Sequence, residues 1–186
     1  MPRTARFTRD DWAAAALAAL AEGGPAAVAV EPVAARLGAA KSSFYWLFAN
    51  RQALLEAALL RWEQRQTEAV IPGLSAIADP AARLRQLAGT AFAATGTADL
   101  ALTLLTEADD PVIRPVVERV TRRRLAVIEA AFAELGHPPG QARHHASALY
   151  AAYLGTAALR RAGAAPADRE GYLATLLAAF GVPPQA

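Results

Sequence analysis

Between Val28 and Leu55 the chain reads VAVEPVAARLGAAKSSFYWLFANRQALL, and this stretch constrains the fold more than any other. Val30, Val33, Ala34 and Leu37 recur at helical spacing and Gly38 breaks the run. A second short segment extends from Lys41 to Phe48, and Asn50 stands where a longer helix would be capped. Two short helices joined by a Gly-containing turn of three or four residues make a helix-turn-helix. In that geometry the second helix enters the major groove of double-stranded DNA while the first crosses the backbone. Lys41, Ser42, Ser43, Tyr45 and Trp46 are the side chains placed to do so.

The flanking segments also read as helices. Thr8 followed by Asp11 is a capping arrangement with Asp in place of the usual Glu. The helix it opens carries Trp12, Ala16, Leu17 and Leu20 on one face and runs to about Glu22, before Gly23, Gly24 and Pro25. The next begins around Val30, with Glu31 and Pro32 in its first turn, where a missing N–H costs nothing. From Arg51 a longer helix carries Leu54, Leu55, Ala58, Leu59 and Trp62 and is expected to reach Ile71, ahead of Pro72 and Gly73. Beyond it there is no repeat and no strand-like alternation. Helices are expected at Pro80 to about Thr95, Leu100 to Ala108, Pro111 to Leu135, Pro139 to about Ala162 and Ala167 to Phe180. The short loops between them make neighbours roughly antiparallel. The expected fold is all-α: a small N-terminal three-helix head with the helix-turn-helix at residues 1–50, and a larger helical bundle at 51–186.

Composition narrows the function classes. With 54% hydrophobic and 19% charged residues the chain is globular rather than disordered. It has no cysteine, which removes disulfides, thiol chemistry and Cys-based zinc sites. A formal charge of +2 does not identify a partner, and its cations are almost all Arg, Lys41 being the only lysine. The N-terminus lacks the apolar core of a secretory signal. The uncharged apolar run Ala146 to Leu159 falls short of the roughly 18 residues that span a bilayer. A cytoplasmic protein with no membrane partner is expected.

No constellation points to an enzyme, a metal or a cofactor. His144 and His145 are adjacent, so on a helix they point about 100° apart and cannot share one ion on one face. His137 lies in a Pro/Gly turn, and all three read as surface or loop. Glu107, Asp109 and Asp110 flank a helix break, and Arg122, Arg123 and Arg124 diverge around a helix. Nucleophile elbows, phosphate-cradling Gly loops and dinucleotide fingerprints are absent from the sequence.

The runs Ala34-x-x-Leu37-Gly38, Lys41-x-x-Phe44-Tyr45-Trp46-Leu47-Phe48 and Asn50-Arg51-x-Ala53-Leu54-Leu55 resemble the DNA-binding domain of the TetR/AcrR family of bacterial regulators. The resemblance covers about the first third of the chain, and over the remainder it is architectural. It implies a ligand-responsive transcriptional regulator, most often a repressor, that binds a two-fold-symmetric operator as a homodimer. It assigns DNA contact to Lys41, Ser42, Ser43, Tyr45, Trp46 and Arg51. Ser43 and Trp46 would face base edges, Tyr45 a backbone phosphate, and Arg51 stands where the family has a phosphate-binding Lys. Arg3, Arg6 and Arg9 form a basic arm that either follows the phosphates or is a solvated tail. The chain departs from the pattern at Ala29 and Ala40, where a capping hydroxyl is usual, and at Leu47, where His or Tyr is common.

By the same resemblance the last two long helices pair with their mates in a four-helix dimer interface. Their stripes are Ala142, Ala146, Leu149, Tyr150, Tyr153, Leu154 and Ala157, and Tyr172, Leu173, Leu176, Leu177 and Phe180. A small, largely apolar effector would bind between the middle helices, among Trp62, Phe92, Thr103, Glu107, Tyr150 and Tyr153. The alternative is an all-helical binding or scaffold protein that has lost DNA recognition. In that reading the departures at Ala29, Ala40 and Leu47 carry the argument, and stripes and aromatics alike serve the chain's own core.

Overall fold

Thr8 and Asp11 close a reciprocal capping box: Thr8 Oγ1 accepts from the Asp11 amide at 3.2 Å, and Asp11 accepts from the Thr8 amide at 2.7 Å. It opens α1, Arg9–Gly23, whose buried residues are Trp12, Ala13, Ala15, Ala16, Ala19 and Leu20. These observations come from a computed structural model describing residues 7–93 and 96–184, with no strand among the described residues. Arg3 and Arg6 of the basic arm lie outside the described residues.

After α1 come α2, Val30–Leu37, α3, Lys41–Phe44, and α4, Arg51–Glu63. Neither Ala29 nor Ala40 supplies a side-chain cap to the helix it precedes, whereas Asn50 Oδ1 accepts from the Ala53 amide at 2.9 Å to cap α4. The helix expected to run from Arg51 to Ile71 is interrupted. Its α-helical bonding gives way at Gln64–Glu68 to a π-helical turn, and a separate short helix, α5, occupies Ile71–Ser75. Pro72 explains the restart, since in a first turn its missing N–H is not needed, whereas a continuous helix would require it.

The chain continues through α6, Pro80–Ala93, α7, Thr97–Thr106, α8, Ile113–Glu134, α9, Pro139–Arg161, and α10, Arg169–Ala179. Aspartates open three of these helices. Asp79 accepts from the amides of Ala81 and Ala82, Asp110 from those of Val112 and Ile113, and Asp168 from that of Gly171. No helix among the described residues is long and apolar enough to cross a membrane.

The chain divides into two compact units. The first comprises Met1–Arg65 with Thr103–Val117. Within it α1 packs on α4 and α2, and Trp12, Leu20, Val28, Phe44, Leu54, Leu55, Leu59 and Trp62 form its core. An Arg61–Asp10 ion pair ties α4 to the start of α1.

The second unit comprises Gln66–Leu102 with Glu118–Ala186. There α6 packs on α5, α9 and α10 over Leu84, Ala88, Phe92, Phe132 and Leu149. The α9 stripe expected at a dimer interface is largely consumed inside the protomer: Ala142, Ala146, Leu149, Tyr150, Tyr153 and Ala157 are all buried there. A single helix face cannot serve the core and a partner at once. On α10 only Leu177 is buried, while Tyr172, Leu173, Leu176 and Phe180 are half-buried.

Two polar clusters also find their places in this unit. Arg122 pairs with Glu118 and Arg123 with Glu68 at the surface. Arg124 turns inward and donates to Thr67 Oγ1 at 3.0 Å and to the Gln66 carbonyl at 3.1 Å. His137 lies in the loop between α8 and α9 as expected, whereas His145 is half-buried on α9. Their rings lie 4.9 Å apart and pack against Phe132, with Phe180 against His145, while His144 stays exposed.

Candidate nucleic-acid interface

A four-residue helix has no stability of its own, because nucleating one turn costs more than its few hydrogen bonds return. The geometry of α3 is therefore set by what lies beneath it. Phe44 is fully buried, 5.5 Å from the Trp12 ring of α1 and stacked at 5.5 Å on Phe48. The amides of Leu47 and Phe48 both donate to the Phe44 carbonyl at 2.9 Å, so one further turn follows α3 in place of the helix expected to reach Phe48. Arg9 then clamps the end of that turn. Its guanidinium lies 4.3 Å from the Phe48 ring centroid and donates to the Leu47 carbonyl at 2.6 Å. The turn joining α2 to α3 depends on Gly38, whose φ of 66° and ψ of 27° are left-handed.

On this support the outward side chains divide into two groups. Trp46 is 89% exposed and Tyr45 62% exposed, although both are aromatic. Ser42 is also exposed, and Ser43 is half-buried with its hydroxyl donating to the Ala40 carbonyl at 2.6 Å. The two cations are engaged within the chain. Lys41 pairs with Glu31 of α2, and Arg51 donates to the Pro25 carbonyl. That hydrogen-bonded pairing holds the Glu31 carboxyl below, and the Lys41 ammonium above, their ordinary ranges, so both are charged at neutral pH. Sequence reasoning missed Glu31 and Arg9 as neighbours of this surface. Their partners lie 10 and 38 residues along the chain, beyond any helical periodicity.

The residues expected around an effector fall in different units. Trp62 is buried, Thr103 half-buried and Glu107 exposed in the first unit. In the second, Phe92 and Tyr153 meet edge-on with ring centroids 6.1 Å apart, and Tyr150 stacks on Tyr153 at 5.9 Å. Burial pushes the Tyr153 phenol up to about 12, so it is a neutral hydrogen-bonding group at physiological pH. An open groove of about 760 Å³ in the same unit is lined by other residues, from Ile77, Ala82 and Arg85 to Gln86, Gly89, Thr90 and Ala93. No group of three or more His, Cys, Asp or Glu able to hold a metal ion occurs among the described residues.

Comparison with known proteins adds a family match over part of the chain. Residues 13–58, which span most of α1 through the first half of α4, match the model of the bacterial regulatory proteins of the tetR family. No characterised protein matches the sequence. Among solved structures, the fold is similar to a transcriptional regulator from Saccharomonospora viridis in complex with choline. The TM-score is 0.77 at 20% identity, covering 91% of this chain and 95% of that one. A TetR-family regulator from Agrobacterium tumefaciens gives 0.75 at 22% identity over 90% and 95% of the two chains. Reduced NemR from E. coli gives 0.72 at 19% over 91% and 95%. At these identities the structures speak for the fold, and the family match speaks for residues 13–58. The helix-turn-helix lies within the residues that match the tetR-family model, and the chain as a whole is similar in fold to these solved regulators.

Proposed function

We propose that the chain is a ligand-responsive transcriptional regulator, a repressor in its default state, that binds a two-fold-symmetric operator as a homodimer. The observation that carries this reading is the recognition turn itself: exposed Tyr45 and Trp46, flanked by Lys41 and Arg51, on a turn fixed by buried Phe44 and Phe48. Residues 1–50 are the reading head and 51–186 the effector and dimerisation part. Trp46, with Ser42 and Ser43 beside it, faces base edges, while Lys41, Arg51 and Tyr45 neutralise or bond phosphates. A two-fold operator needs a two-fold reader whose recognition turns stand one helical turn apart, about 34–36 Å. With the inward stripe of α9 consumed by the core, the pairing surface is the exposed small-residue side of α9, Ala148, Ala151 and Ala158, together with α10. The effector is a small molecule with an apolar body, held near Phe92, Tyr150 and Tyr153 of the second unit. A transcriptional regulator of this fold has been solved with choline and a multidrug binding protein of this fold with imidazole, which supports small-molecule binding as the mode of control.

The second reading, a helical protein that has lost DNA recognition, draws on the engagement of Lys41 by Glu31 and of Arg51 by Pro25. One experiment separates them. Purified protein is used to select duplexes from a randomised synthetic pool, and any enriched duplex is titrated with salt. A regulator enriches a short symmetric site and loses affinity steeply as salt rises, with a log–log slope of about −0.9 per phosphate contacted. Lys41→Ala or Arg51→Ala then lowers the magnitude of that slope by about 1 per protomer and weakens all sequences alike. A folded dimer that enriches nothing at low salt refutes the proposal.

A further inference from the structure

We propose that Trp46 reads thymine, with its indole ring against the C5-methyl of one thymine in each half-site and its Nε1–H donated to O4 of the same base. The inference rests on the DNA-binding reading above and deepens it to the base recognised.

The first support is an inventory of what the recognition surface can say to a base. Guanine is read by a bidentate Arg or Lys, and adenine by a bidentate Asn or Gln. Each such side chain near the turn is already engaged. Lys41 is paired with Glu31, and Arg51 donates to the Pro25 carbonyl. Asn50 caps α4, and Gln52 donates to Glu56 at 2.9 Å. The Ser43 hydroxyl is directed at the Ala40 carbonyl. Ala40, Ser42, Tyr45 and Trp46 remain exposed, and Trp46 is the largest of them.

The second support is the exposure of Trp46 set against its fellow tryptophans. Trp12 and Trp62 are at most 2% exposed, while Trp46 is 89% exposed. A large apolar ring held in water is the kind of exception that marks a contact surface. The backbone that carries it is held on both sides. Its neighbours Phe44 and Phe48 are buried, and the amides of Leu47 and Phe48 are bonded back to Phe44. The ring thus has only its own two torsions to lose on binding.

The third support is complementarity. Indole offers an apolar face and one N–H donor, with no acceptor. In the major groove thymine alone sets a methyl group beside an acceptor, O4; cytosine puts an amino donor there instead. The indole therefore satisfies both features of thymine and opposes cytosine donor to donor.

The test uses the symmetric duplex enriched from the randomised pool. Each thymine is replaced in turn by uracil, which deletes only the methyl, and by 5-methylcytosine opposite guanine, which keeps the methyl and replaces O4 with an amino group. Affinities are measured for the full-length protein and for Trp46→Ala and Trp46→Phe. Trp46 is on the surface, so both variants fold, and urea denaturation checks this. The expected result is one thymine per half-site at which uracil weakens the unaltered protein about fourfold, the worth of one buried methyl. Trp46→Ala is indifferent to uracil at that position. Trp46→Phe keeps the sensitivity to uracil and tolerates 5-methylcytosine better than the unaltered protein does. Enriched half-sites without thymine, or uracil effects identical in the Trp46→Ala protein, overturn the assignment while leaving DNA binding intact. Failure to enrich any duplex refutes DNA binding itself and the thymine assignment with it.

Discussion

Gly24 and Gly38 allow a test in which backbone strain is separated from packing. A Cβ built on either residue meets nothing within 4 Å, so an Ala substitution at either adds no clash. The two differ in ψ. Gly38, at φ 66° and ψ 27°, is in the left-handed helical region, whereas Gly24, at φ 67° and ψ −167°, is in a region that is essentially glycine-only. For Gly38→Ala the left-handed conformation costs roughly 1–2 kcal/mol. Removing glycine's freedom from the unfolded chain offsets about 0.4–1 kcal/mol of that. A net loss of about 1 kcal/mol is expected. Gly24→Ala draws on the upper part of the roughly 1–3 kcal/mol range for sparsely populated backbone conformations. After the same offset it loses about 2 kcal/mol. The assay is urea denaturation followed by tryptophan fluorescence, since Trp12 and Trp62 are buried and report on the first unit. With a slope of about 2 kcal/mol/M, the midpoint falls by about 0.5 M for Gly38→Ala and about 1 M for Gly24→Ala. The slope itself should not change. A Gly38→Ala loss equal to or larger than that of Gly24→Ala would falsify the backbone account of the α2–α3 turn.

Other consequences follow from particular contacts. Phe44→Ala empties the space between Trp12 and Phe48 and is expected to cost about 3–5 kcal/mol, read as a fall in the same urea midpoint. Trp12→Phe should cost less, because it retains a ring while removing a buried N–H that has no acceptor; a larger loss than Phe44→Ala contradicts this packing. The His145 imidazole is held below its ordinary range, by burial first and then by His137 and His144. The unfolded chain therefore takes up the proton more readily, so this stability is intact above the ordinary imidazole pKa and is lost as pH falls below it. The urea midpoint should drop between pH 7.5 and 5.5, and His145→Gln should flatten that drop. Asp11, Glu22 and Glu31 are carboxylates held low, so their contributions are lost only at more acidic pH, outside this window. Glu31→Gln frees Lys41 and removes a negative charge from beside it, so binding of the enriched duplex at low salt should tighten. Unchanged or weaker binding in an anisotropy titration would show that Lys41 does not face phosphate.

Local chemistry made much of this fold readable. The Thr8–Asp11 box, the Asn50 cap, the break at Gly38 and the starts at Pro80 and Pro139 each depend on residues within about four positions of one another, which is the range that helix-end signals cover. Sequence pattern is silent where the deciding partner is distant. The apolar stripe of α9 has the same pattern whether it meets its own core or a second chain, and periodicity cannot tell them apart. The aromatics from Trp62 to Tyr153 look alike in sequence, yet the chain distributes them between two compact units. At the candidate interface, the residue types on the surface were legible from the motif. Their engagement was not, because Glu31, Pro25 and Ala40 reach Lys41, Arg51 and Ser43 through the three-dimensional turn.

The support beneath the recognition turn also limits how regulation can work. Phe44 and Phe48 are tied to α1 through Trp12 and Arg9, and α1 is tied to α4 by packing and by the Arg61–Asp10 pair. Dislodging Phe44 alone forfeits about 3–5 kcal/mol. A typical effector supplies a coupling of about 1–3 kcal/mol between its site and another. Under the proposed regulation, an effector of ordinary strength is therefore too weak to dismantle the reading surface. Changing where an intact head stands is the cheaper response, because it leaves the Trp12–Phe44–Phe48 contacts in place. Two recognition turns that keep their shape but miss the spacing of successive major grooves lose the second half-site and the affinity that came with it.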